Sequence, residues 1–497
     1  SSCGSNLLRV TGWRLRLSEI LGVGGMNKAR LSELVEFNPR RPLKKGSLAP
    51  FIEMAALPES SRDIANIYDR EYRGGGAKFT NGDTLFARIT PCLENGKTAK
   101  VAGLKGDAVG HGSTEFIVMS PRNPEVDEDY IYYLARLPDF RIYAQARMEG
   151  TSGRQRVSWQ SLADFELQIP DATTRKRAGK VLKAFDDKIQ LNHQINQTLE
   201  QMAQAIFKSW FVDFEPVKAK MAAKESWQAL QAEGEAESLP DLETWMNLAA
   251  MQVISGQTEA ALNQMADQQP EQFSELFKTA ALFPAAMQDS ELGEIPEGWI
   301  VDHLSKIIRF NPNRSLKKGT LAPYLDMKNV PTSGHLADDV VLREMNSGTK
   351  FVNGDTLLAR ITPCLENGKT AYVDFLVSDQ VGWGSTEYIV MRSEKLYPES
   401  ISYFIARDSK FRQHAIQSMT GTSGRQRANA KALAELPWII YPKALIEAFD
   451  RIATPYLKLA KSHGSETKSL TALRDTLLPK LLSGELSVAD FELEGEA

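Results

Sequence analysis

The sequence predicts an α+β protein built from two similar mixed α/β domains and two long helices that pack as a coiled coil. Three observations lead to this prediction. First, the segment 81–99 recurs at 353–371 with 18 of 19 positions identical, and such a long repeat period indicates two copies of a whole domain. Second, each copy contains short β-rich runs broken by Asn-Gly, Gly-Gly and Pro, followed by an amphipathic stretch. Third, each copy is followed by apolar residues at heptad spacing.

Length and composition are those of a multidomain globular protein. A chain of 497 residues is too long for one core, so two or three domains are expected. The hydrophobic content of 42% is ordinary, and no apolar run is long enough to predict a membrane span. The cysteines are Cys3, Cys92 and Cys364, the last two at matching places in separate repeats. We therefore expect reduced thiols in a cytoplasmic protein and no zinc site.

Charge is distributed unevenly along the chain. Residues 217–294 contain 13 acidic and 4 basic residues, a balance of −9, so the remainder carries −4 + 9 = +5. This distribution is compatible with nucleic-acid binding by the domains alone. A solvated acidic linker beside ordinary domains explains the charge equally well.

The repeats extend well beyond their first shared segment. The first runs from Asn38 to about residue 170 and the second from Asn311 to about residue 442. NPRRPLKKGSLAPF at 38–51 matches NPNRSLKKGTLAPY at 311–324 at 10 of 14 positions, and GTSGRQR is identical at 150–156 and 421–427. Offsets of 273 and 271 residues between these pairs indicate one fold with small loop differences. Residues 1–25 have no counterpart and are interpreted as an N-terminal extension of uncertain origin, with Met26 as a candidate start.

Within each repeat the pattern favours mainly antiparallel strands. Strands are predicted at Thr84–Ile89 and Glu115–Met119. The amphipathic stretches are Asp129–Ala144 and Glu399–Ala415. Asn95-Gly96 and Asn367-Gly368 are typical of hairpin turns.

The two long helical stretches are predicted to pack against each other along a heptad seam. In the second stretch, the seam positions left polar are His463 and Glu466. Asn192 and Asn196 are polar seam residues of the first stretch. Polar seam residues cost stability but fix register. Pro455 and Gly464 predict a kink or a late start in the second helix.

The remaining chain is a connector rich in Gln, Ala and Glu, with helical patterns around Leu239–Ser255 and Glu259–Ala280. The predicted organisation comprises an extension (1–25), a first domain (26–172), a central spacer helix (173–216), an acidic connector (217–295), a second domain (296–443), a distal spacer helix (444–484) and an acidic tail (485–497).

No catalytic constellation is convincing. ENGKT invites a phosphate-loop interpretation, but the Gly that this motif requires five residues before Gly-Lys is replaced by Pro91 and Pro363. No base-methylation or dinucleotide motif is present, and Glu115 and Glu387 are single carboxylates for which a structural role is the simpler explanation. The chain is predicted to be non-catalytic and to bind no metal.

The candidate functional residues are polar and basic. Arg and Gln make paired hydrogen bonds to guanine and adenine edges, and Gly-Ser-Thr loops bring backbone amides close to phosphate. Retention of these residues for folding is the alternative at each position. The candidate DNA contacts are Lys44, Lys45, Arg88, Lys97, Ser113, Thr114, Arg154, Gln155 and Arg156 in the first repeat, and Lys317, Lys318, Arg360, Lys369, Ser385, Thr386, Arg425, Gln426 and Arg427 in the second.

Together these motifs resemble the specificity (S) subunits of type I restriction–modification systems. The resemblance rests on ARITPCLENGKTA, on GSTEFIVM or GSTEYIVM, and on GTSGRQR, each present twice, and on the helices NQTLEQMAQAIFKSWFVDFEP and SLTALRDTLLPKLLSGEL. It covers about residues 30–490. It implies two target-recognition domains related by a pseudo-twofold axis, each reading one half of a split target in double-stranded DNA, separated by an antiparallel coiled coil.

The resemblance also implies partners. Two methyltransferase (M) subunits would dock on the helices and bring S-adenosylmethionine, while restriction (R) subunits would bring ATP and Mg²⁺. A specificity subunit of a methylation-only complex is one alternative, and a two-domain protein-binding scaffold is another. The long identical segments suggest half-sites related in sequence, whereas Ala55-Ala56 against Lys328-Asn329, and His111 against Trp383, indicate that they need not be identical.

Overall fold

A computed structural model describes residues 6–10, 13–19, 27–233, 240–422 and 425–493. The chain divides into two compact units. Unit 1 comprises Ser1–Asn192 and Glu466–Ala497, and unit 2 comprises His193–Ser465. Each unit contains one sequence repeat and a part of each long helix.

Short strands dominate both repeats. In chain order they are β1 (Asn6–Val10), β2 (Trp13–Glu19), β3 (Asn27–Arg30), β4 (Val35–Phe37), β5 (Leu48–Ile52), β6 (Tyr68–Glu71), β7 (Lys78–Phe79), β8 (Thr84–Ala87), β9 (Thr98–Lys100), β10 (Gly110–Gly112), β11 (Phe116–Pro121), β12 (Glu166–Ile169), β13 (Met287–Ser290), β14 (Gly293–Pro296), β15 (Ile300–His303), β16 (Ile308–Phe310), β17 (Leu321–Leu325), β18 (Val341–Glu344), β19 (Thr349–Phe351), β20 (Asp355–Ala359), β21 (Thr370–Tyr372), β22 (Gly382–Gly384), β23 (Tyr388–Ser393), β24 (Pro437–Ile440) and β25 (Leu486–Leu493).

The helices are α1 (Leu31–Leu34), α2 (Pro124–Ala135), α3 (Pro138–Gln145), α4 (Trp159–Ala163), α5 (Ala172–Phe211), α6 (Glu215–Ala232), α7 (Leu242–Ser255), α8 (Glu259–Gln268), α9 (Pro270–Ala281), α10 (Ile401–Arg407), α11 (Ser409–Gln417), α12 (Ala430–Ala434) and α13 (Lys443–Leu482). In the described part of the chain, no helix is long and apolar enough to cross a membrane.

The same pair of four-stranded sheets occurs in both units. In unit 1 the strand orders are β4-β11-β8-β9 and β6-β5-β10-β7, and in unit 2 they are β16-β23-β20-β21 and β18-β17-β22-β19. All neighbours are antiparallel except β5 with β10 and β17 with β22. The prediction of two similar mixed α/β domains with mainly antiparallel strands is confirmed.

Successive side chains of a strand point to opposite faces of its sheet, which explains how a sheet is buried on both faces. On β8, Leu85 packs in one apolar cluster with Ile52 of β5. Its neighbour Phe86 packs in a second cluster with Phe185 of α5. One face of the sheet therefore lies against the second sheet and the other against helices, so the unit has two stacked layers of core.

The long helices run antiparallel within unit 1. Asn192 on α5 donates from Nδ2 to Glu466 Oε2 on α13 at 2.8 Å. Asp186, which precedes Asn192 on α5, accepts from Arg474, which follows Glu466 on α13, at 2.5 Å. Because moving back along one helix means moving forward along the other, the two segments are antiparallel.

Unit 2 contains the same arrangement in its own helix segments. Asn196 Nδ2 donates to the carbonyl of Ala460 at 3.0 Å, and its Oδ1 lies 3.2 Å from His463 Nδ1. The polar seam residues predicted from the heptads therefore meet each other, Asn192 with Glu466 in unit 1 and Asn196 with His463 in unit 2.

The predicted late start of the second helix is wrong. Helix α13 runs without a break from Lys443 through Pro455 and Gly464. A Cβ at Gly464 would lie 2.7 Å from Leu336 Cδ1. The glycine is therefore explained by close approach of the Leu336 loop to the helix rather than by a helix end.

Three predicted helical stretches are each divided. Asp129–Ala144 corresponds to α2 and α3, which starts with Pro138 at its first position, a place where proline needs no amide partner. In the second repeat, the Asp408 side chain accepts from the amide of Phe411 at 2.9 Å and caps α11. The second helical pattern of the connector likewise splits into α8 and α9, which begins at Pro270.

Part of the predicted extension and of the acidic tail form a three-stranded sheet. Its order is β1-β2-β25, and β2 pairs antiparallel with β25 from Trp13↔Leu493 to Glu19↔Leu486. Residues 1–5, 11–12, 20–26 and 494–497 lie outside the described residues.

Candidate nucleic-acid interface

Three loops of unit 1 converge beside the end of β8. They are the β8–β9 connection (88–97), the loop before β11 (113–115) and the GTSGRQR loop (150–156), and we call them the loop cluster. The amide of Arg88 donates to the carbonyl of Glu115 at 3.0 Å, and the amide of Thr90 donates to the carbonyl of Gln155 at 3.1 Å. Backbone hydrogen bonds thus join motifs that are distant in sequence. Thr90 and Gln155, for example, are separated by 65 positions.

The same cluster is built in unit 2 from 360–369, 385–387 and 421–427. Here Arg360 N donates to Glu387 O at 2.9 Å, and Thr362 N donates to Gln426 O at 3.1 Å. Ser423 and Gly424 of this loop lie outside the described residues. The two clusters therefore share the hydrogen bonds that set their backbone geometry.

An ion pair ties two loops of each cluster together. Arg156 Nε and Nη2 donate to the carboxylate of Glu115 at 3.0 and 2.7 Å, and Arg427 makes the same two contacts to Glu387. The Arg427 hydrogen bonds hold the pKa of the Glu387 carboxyl below its usual value. Each glutamate, for which a structural role was expected, therefore has an arginine partner. Arg156 and Arg427 anchor the loops that carry them.

The residues just before these anchors differ in accessibility. Arg154 and Arg425 are exposed, and among the described residues neither guanidinium has a hydrogen-bond or ion-pair partner. Gln155 and Gln426 are half-buried. The tip of each loop thus offers one free arginine.

Arg88 and Arg360 lie at the base of the cluster. Both side chains are half-buried, and the Nε of each is buried without a hydrogen-bond partner among the described residues. Arg360 Nε lies 3.9 Å from Glu387, beyond hydrogen-bond distance. Unsatisfied buried donors are costly, so a ligand that accepts from them would be favoured here.

Lys97 and Lys369 face inward. The ammonium of Lys97 donates to the carbonyl of Met54 at 3.1 Å, and that of Lys369 donates to the carbonyl of Met327 at 2.7 Å. Both carbonyls belong to short 3-10 turns that follow β5 and β17. These two lysines hold the framework together in the free protein.

The Gly-Ser-Thr loops are tight turns. Ser113 Oγ and Ser385 Oγ each accept from the amide two residues later at 3.1 Å, while Thr114 and Thr386 are exposed. A Cβ on the preceding glycine, Gly112, would lie 2.6 Å from the carbonyl oxygen of Ile52. Serine therefore shapes the loop, and threonine is the side chain that it displays.

Pairs of lysines occupy the turn before β5 and before β17. Lys44, Lys45, Lys317 and Lys318 are all exposed, and within the described part of the chain their side chains have no partner. Gly46 and Gly319 follow with φ of +88° and +82°, the left-handed conformation that glycine tolerates best. Each unit therefore presents two free ammonium groups on a fixed turn.

A cleft of about 650 Å³ in unit 1 adds residues that the sequence analysis missed. Its lining includes Arg40, Arg41 and Lys78 together with the expected Arg88 and Thr114. Arg41 is paired with Asp83 at 2.8 Å, whereas Arg40 is exposed and has no partner among the described residues. The repeat of NPRR as NPNR was the signal that could have identified this loop.

The β8–β9 connection is not a nucleotide loop. Lys97 leads directly into strand β9 rather than into a helix, whereas a phosphate loop must precede a helix N-terminus. The predicted hairpin is present, since β8 and β9 pair. Its connection spans 88–97, and Asn95-Gly96 lie at the end of a turn over residues 91–96, with Gly96 at φ +76°.

His111 in the first repeat is replaced by Trp383 in the second, and both side chains have a structural role. His111 Nε2 lies 3.1 Å from the carbonyl of Arg70, and Trp383 Nε1 donates to the equivalent carbonyl of Arg343 at 3.2 Å. Both rings are buried beside an aromatic neighbour, Phe51 or Tyr324. This substitution conserves the contact to the edge strand.

Comparisons with known proteins agree on one family. Residues 24–201 match the family model described as type I restriction modification DNA specificity domain. The chain is 28% identical to the type I restriction enzyme HindI specificity subunit of Haemophilus influenzae over 441 residues, covering 85% of this chain and 90% of that protein. It is 29% identical over 153 residues to the EcoEI specificity subunit of Escherichia coli, covering 30% and 25%.

Among solved structures, the S subunit of the type I restriction–modification system from M. genitalium aligns with a TM-score of 0.46 at 12% identity, covering 93% of this chain and 97% of that one. The family model spans the first repeat, and over most of its length the chain is similar to a type I restriction enzyme specificity subunit.

Proposed function

We propose that this chain is a specificity subunit that binds double-stranded DNA through its two loop clusters, each reading one half of a bipartite target in the major groove. The observation that carries the proposal is a duplicated set of arginine donors that lack a protein hydrogen-bond acceptor. Arg154 and Arg88 in unit 1, and Arg425 and Arg360 in unit 2, keep donors without protein acceptors among the described residues, on identical frameworks. Arginine donors without acceptors suit guanine edges and phosphate oxygens.

The lysine turns complement this role. Lys44 and Lys45, with Lys317 and Lys318, are exposed point charges on rigid turns, a suitable arrangement for contacts to the DNA backbone that carry no sequence information. Two linked readers also gain affinity because binding of the first half-site raises the effective concentration of the second.

The long helices are proposed to set the distance between half-sites, because a helix extends by about 1.5 Å per residue. Their outer faces would dock two methyltransferase subunits, and restriction subunits would join the assembly. In this proposal the chain contributes no catalytic group: S-adenosylmethionine, ATP and Mg²⁺ are bound by the partner subunits, and the complex works in the cytoplasm.

Selection from a pool of randomised duplexes tests the proposal. The full-length chain should enrich two short sequences at a fixed spacing. Its affinity should fall steeply with salt, because each phosphate neutralised contributes a slope of about −0.9 in a plot of log K against log salt. Absence of enrichment together with a flat salt dependence would overturn DNA reading in favour of a protein-binding scaffold.

A further inference from the structure

The loops 38–42 and 311–315 have the same backbone in both units. Asn38 and Asn311 both adopt φ of +47°. The side-chain oxygen of Asn38 accepts from the amide of Val118 at 2.9 Å, and that of Asn311 accepts from Val390 at 2.9 Å. The first residue of each loop is thus held to the central sheet by identical hydrogen bonds.

The fourth residue of each loop is anchored as well. Arg41 Nη2 donates to Asp83 Oδ1 at 2.9 Å, and Arg314 Nη2 donates to Asp355 Oδ1 at 2.9 Å. Both aspartates are buried, with 1% and 0% exposure. Because these arginines are paired with buried carboxylates, they are not free to contact a ligand.

Between the two anchors, the third residue is displayed and differs. In unit 1 it is Arg40, which is exposed and lines the cleft with Lys78, Arg88 and Thr114. In unit 2 it is Asn313, which is also exposed. Neither side chain has a hydrogen-bond or ion-pair partner within the described residues. A fixed loop therefore presents a different hydrogen-bonding group at the same place in each unit.

We propose that Arg40 and Asn313 are matched specificity residues that make the two half-sites differ at one corresponding base pair. Arginine pairs with O6 and N7 of guanine, and asparagine pairs with N6 and N7 of adenine. Unit 1 then reads guanine where unit 2 reads adenine. This inference rests on the proposed DNA reading, and it identifies one residue in each unit that distinguishes otherwise similar half-sites.

Reciprocal substitution tests the assignment in the full-length chain purified with its methyltransferase subunits, using randomised duplex DNA as the probe. Arg40→Asn should convert one guanine of the unit 1 half-site to adenine and leave the unit 2 half-site unchanged. Asn313→Arg should produce the reverse change in the unit 2 half-site. The preference between the two bases should change by on the order of 10- to 100-fold. Arg30→Asn is the matched control, since Arg30 is an exposed arginine of unit 1 whose guanidinium pairs with Asp164, at 3.6 Å.

The outcomes separate this inference from the proposed function. If the unsubstituted protein selects no sequence, the proposed function fails and the inference fails with it. If it selects a bipartite target and Arg40→Asn retains the same base preference, the inference alone is overturned. A uniform loss of affinity without a change of base would assign Arg40 to the phosphate backbone and would also overturn it. Circular dichroism and melting curves matching the unsubstituted protein establish that each variant is folded.

Discussion

Removal of the buried arginine between the two helices of unit 1 should destabilise that unit strongly. Arg474 on α13 and Asp186 on α5 are 5% and 4% exposed and are joined at 2.5 Å. Tyr133 Oη donates to the other carboxylate oxygen of Asp186 at 2.7 Å. In the Arg474→Met variant, the charged Asp186 stays buried without its arginine, and the Tyr133 hydroxyl is the donor that remains.

The magnitude follows from the burial of both partners. Breaking a buried ion pair by removing one member costs about 3–5 kcal/mol, because the remaining charge is uncompensated. For a unit of this size, 1 kcal/mol lowers the melting temperature by about 2–4 °C. We therefore expect a decrease of roughly 6–20 °C in the transition of unit 1.

Calorimetry of the full-length chain, combined with amide hydrogen exchange, measures the effect and its location. Protection should fall more in β8 and β11 of unit 1 than in β20 and β23 of unit 2. Arg451→Met is the matched control, since Arg451 is exposed on the same helix, and an exposed substitution changes stability by about 0.5 kcal/mol or less.

A compensating variant checks the physical cause. The triple change Arg474→Met, Asp186→Leu and Tyr133→Phe removes all three polar partners together, and apolar replacement of a buried polar set is often close to neutral. It should recover most of the lost stability. A melting temperature for Arg474→Met within about 1 °C of the unsubstituted protein would refute the reasoning, as would a triple variant no more stable than the single one.

Three further predictions concern DNA binding, half-site spacing and pH. The four turn lysines, Lys44, Lys45, Lys317 and Lys318, can be changed together to alanine. Binding to all duplexes should weaken alike, and the salt slope should fall by about 1 for each phosphate that is no longer neutralised. An altered target sequence would contradict this prediction. Insertion of one heptad into both α5 and α13 adds about 10 Å, so the spacer between half-sites should grow by about three base pairs at 3.4 Å each, and an unchanged spacer would count against the proposed role of the helices. Burial lowers the pKa of Lys220 to about 8 from 10.5, so folding should become more favourable as pH rises from about 8 towards 10. Lys220→Met should lose this gain in stability, and the exposed Lys224→Met should keep it. Melting curves at pH 7.5 and 9.5 distinguish the two variants.

Sequence reasoning succeeded where one signal repeats along the chain. The duplicated motifs predicted two similar domains, and the strand orders of the units match pair for pair. Heptad spacing predicted that Asn192 and Glu466 lie on the seam between the helices, and the structure shows that they contact each other. Both results depend on periodicity, which a sequence displays directly.

Other features depend on neighbours that are distant in sequence. Gly464 resembled a helix end because nothing in its own segment reveals Leu336 beside it. Arg156 resembled a free cation, yet its partner Glu115 lies 41 residues earlier. Lys97 is likewise directed to a backbone carbonyl 43 residues away. The sequence located the loop clusters, and the structure distinguished the anchoring side chains from those that remain available.

We propose that this chain reads two DNA half-sites with two copies of one domain. Sequencing of methylated bases in a host that expresses the chain with the proposed methyltransferase subunits tests it most directly. We predict methylation confined to a bipartite target whose halves are separated by a fixed number of base pairs. Methylation at a single uninterrupted site, or at two halves with variable separation, would contradict it.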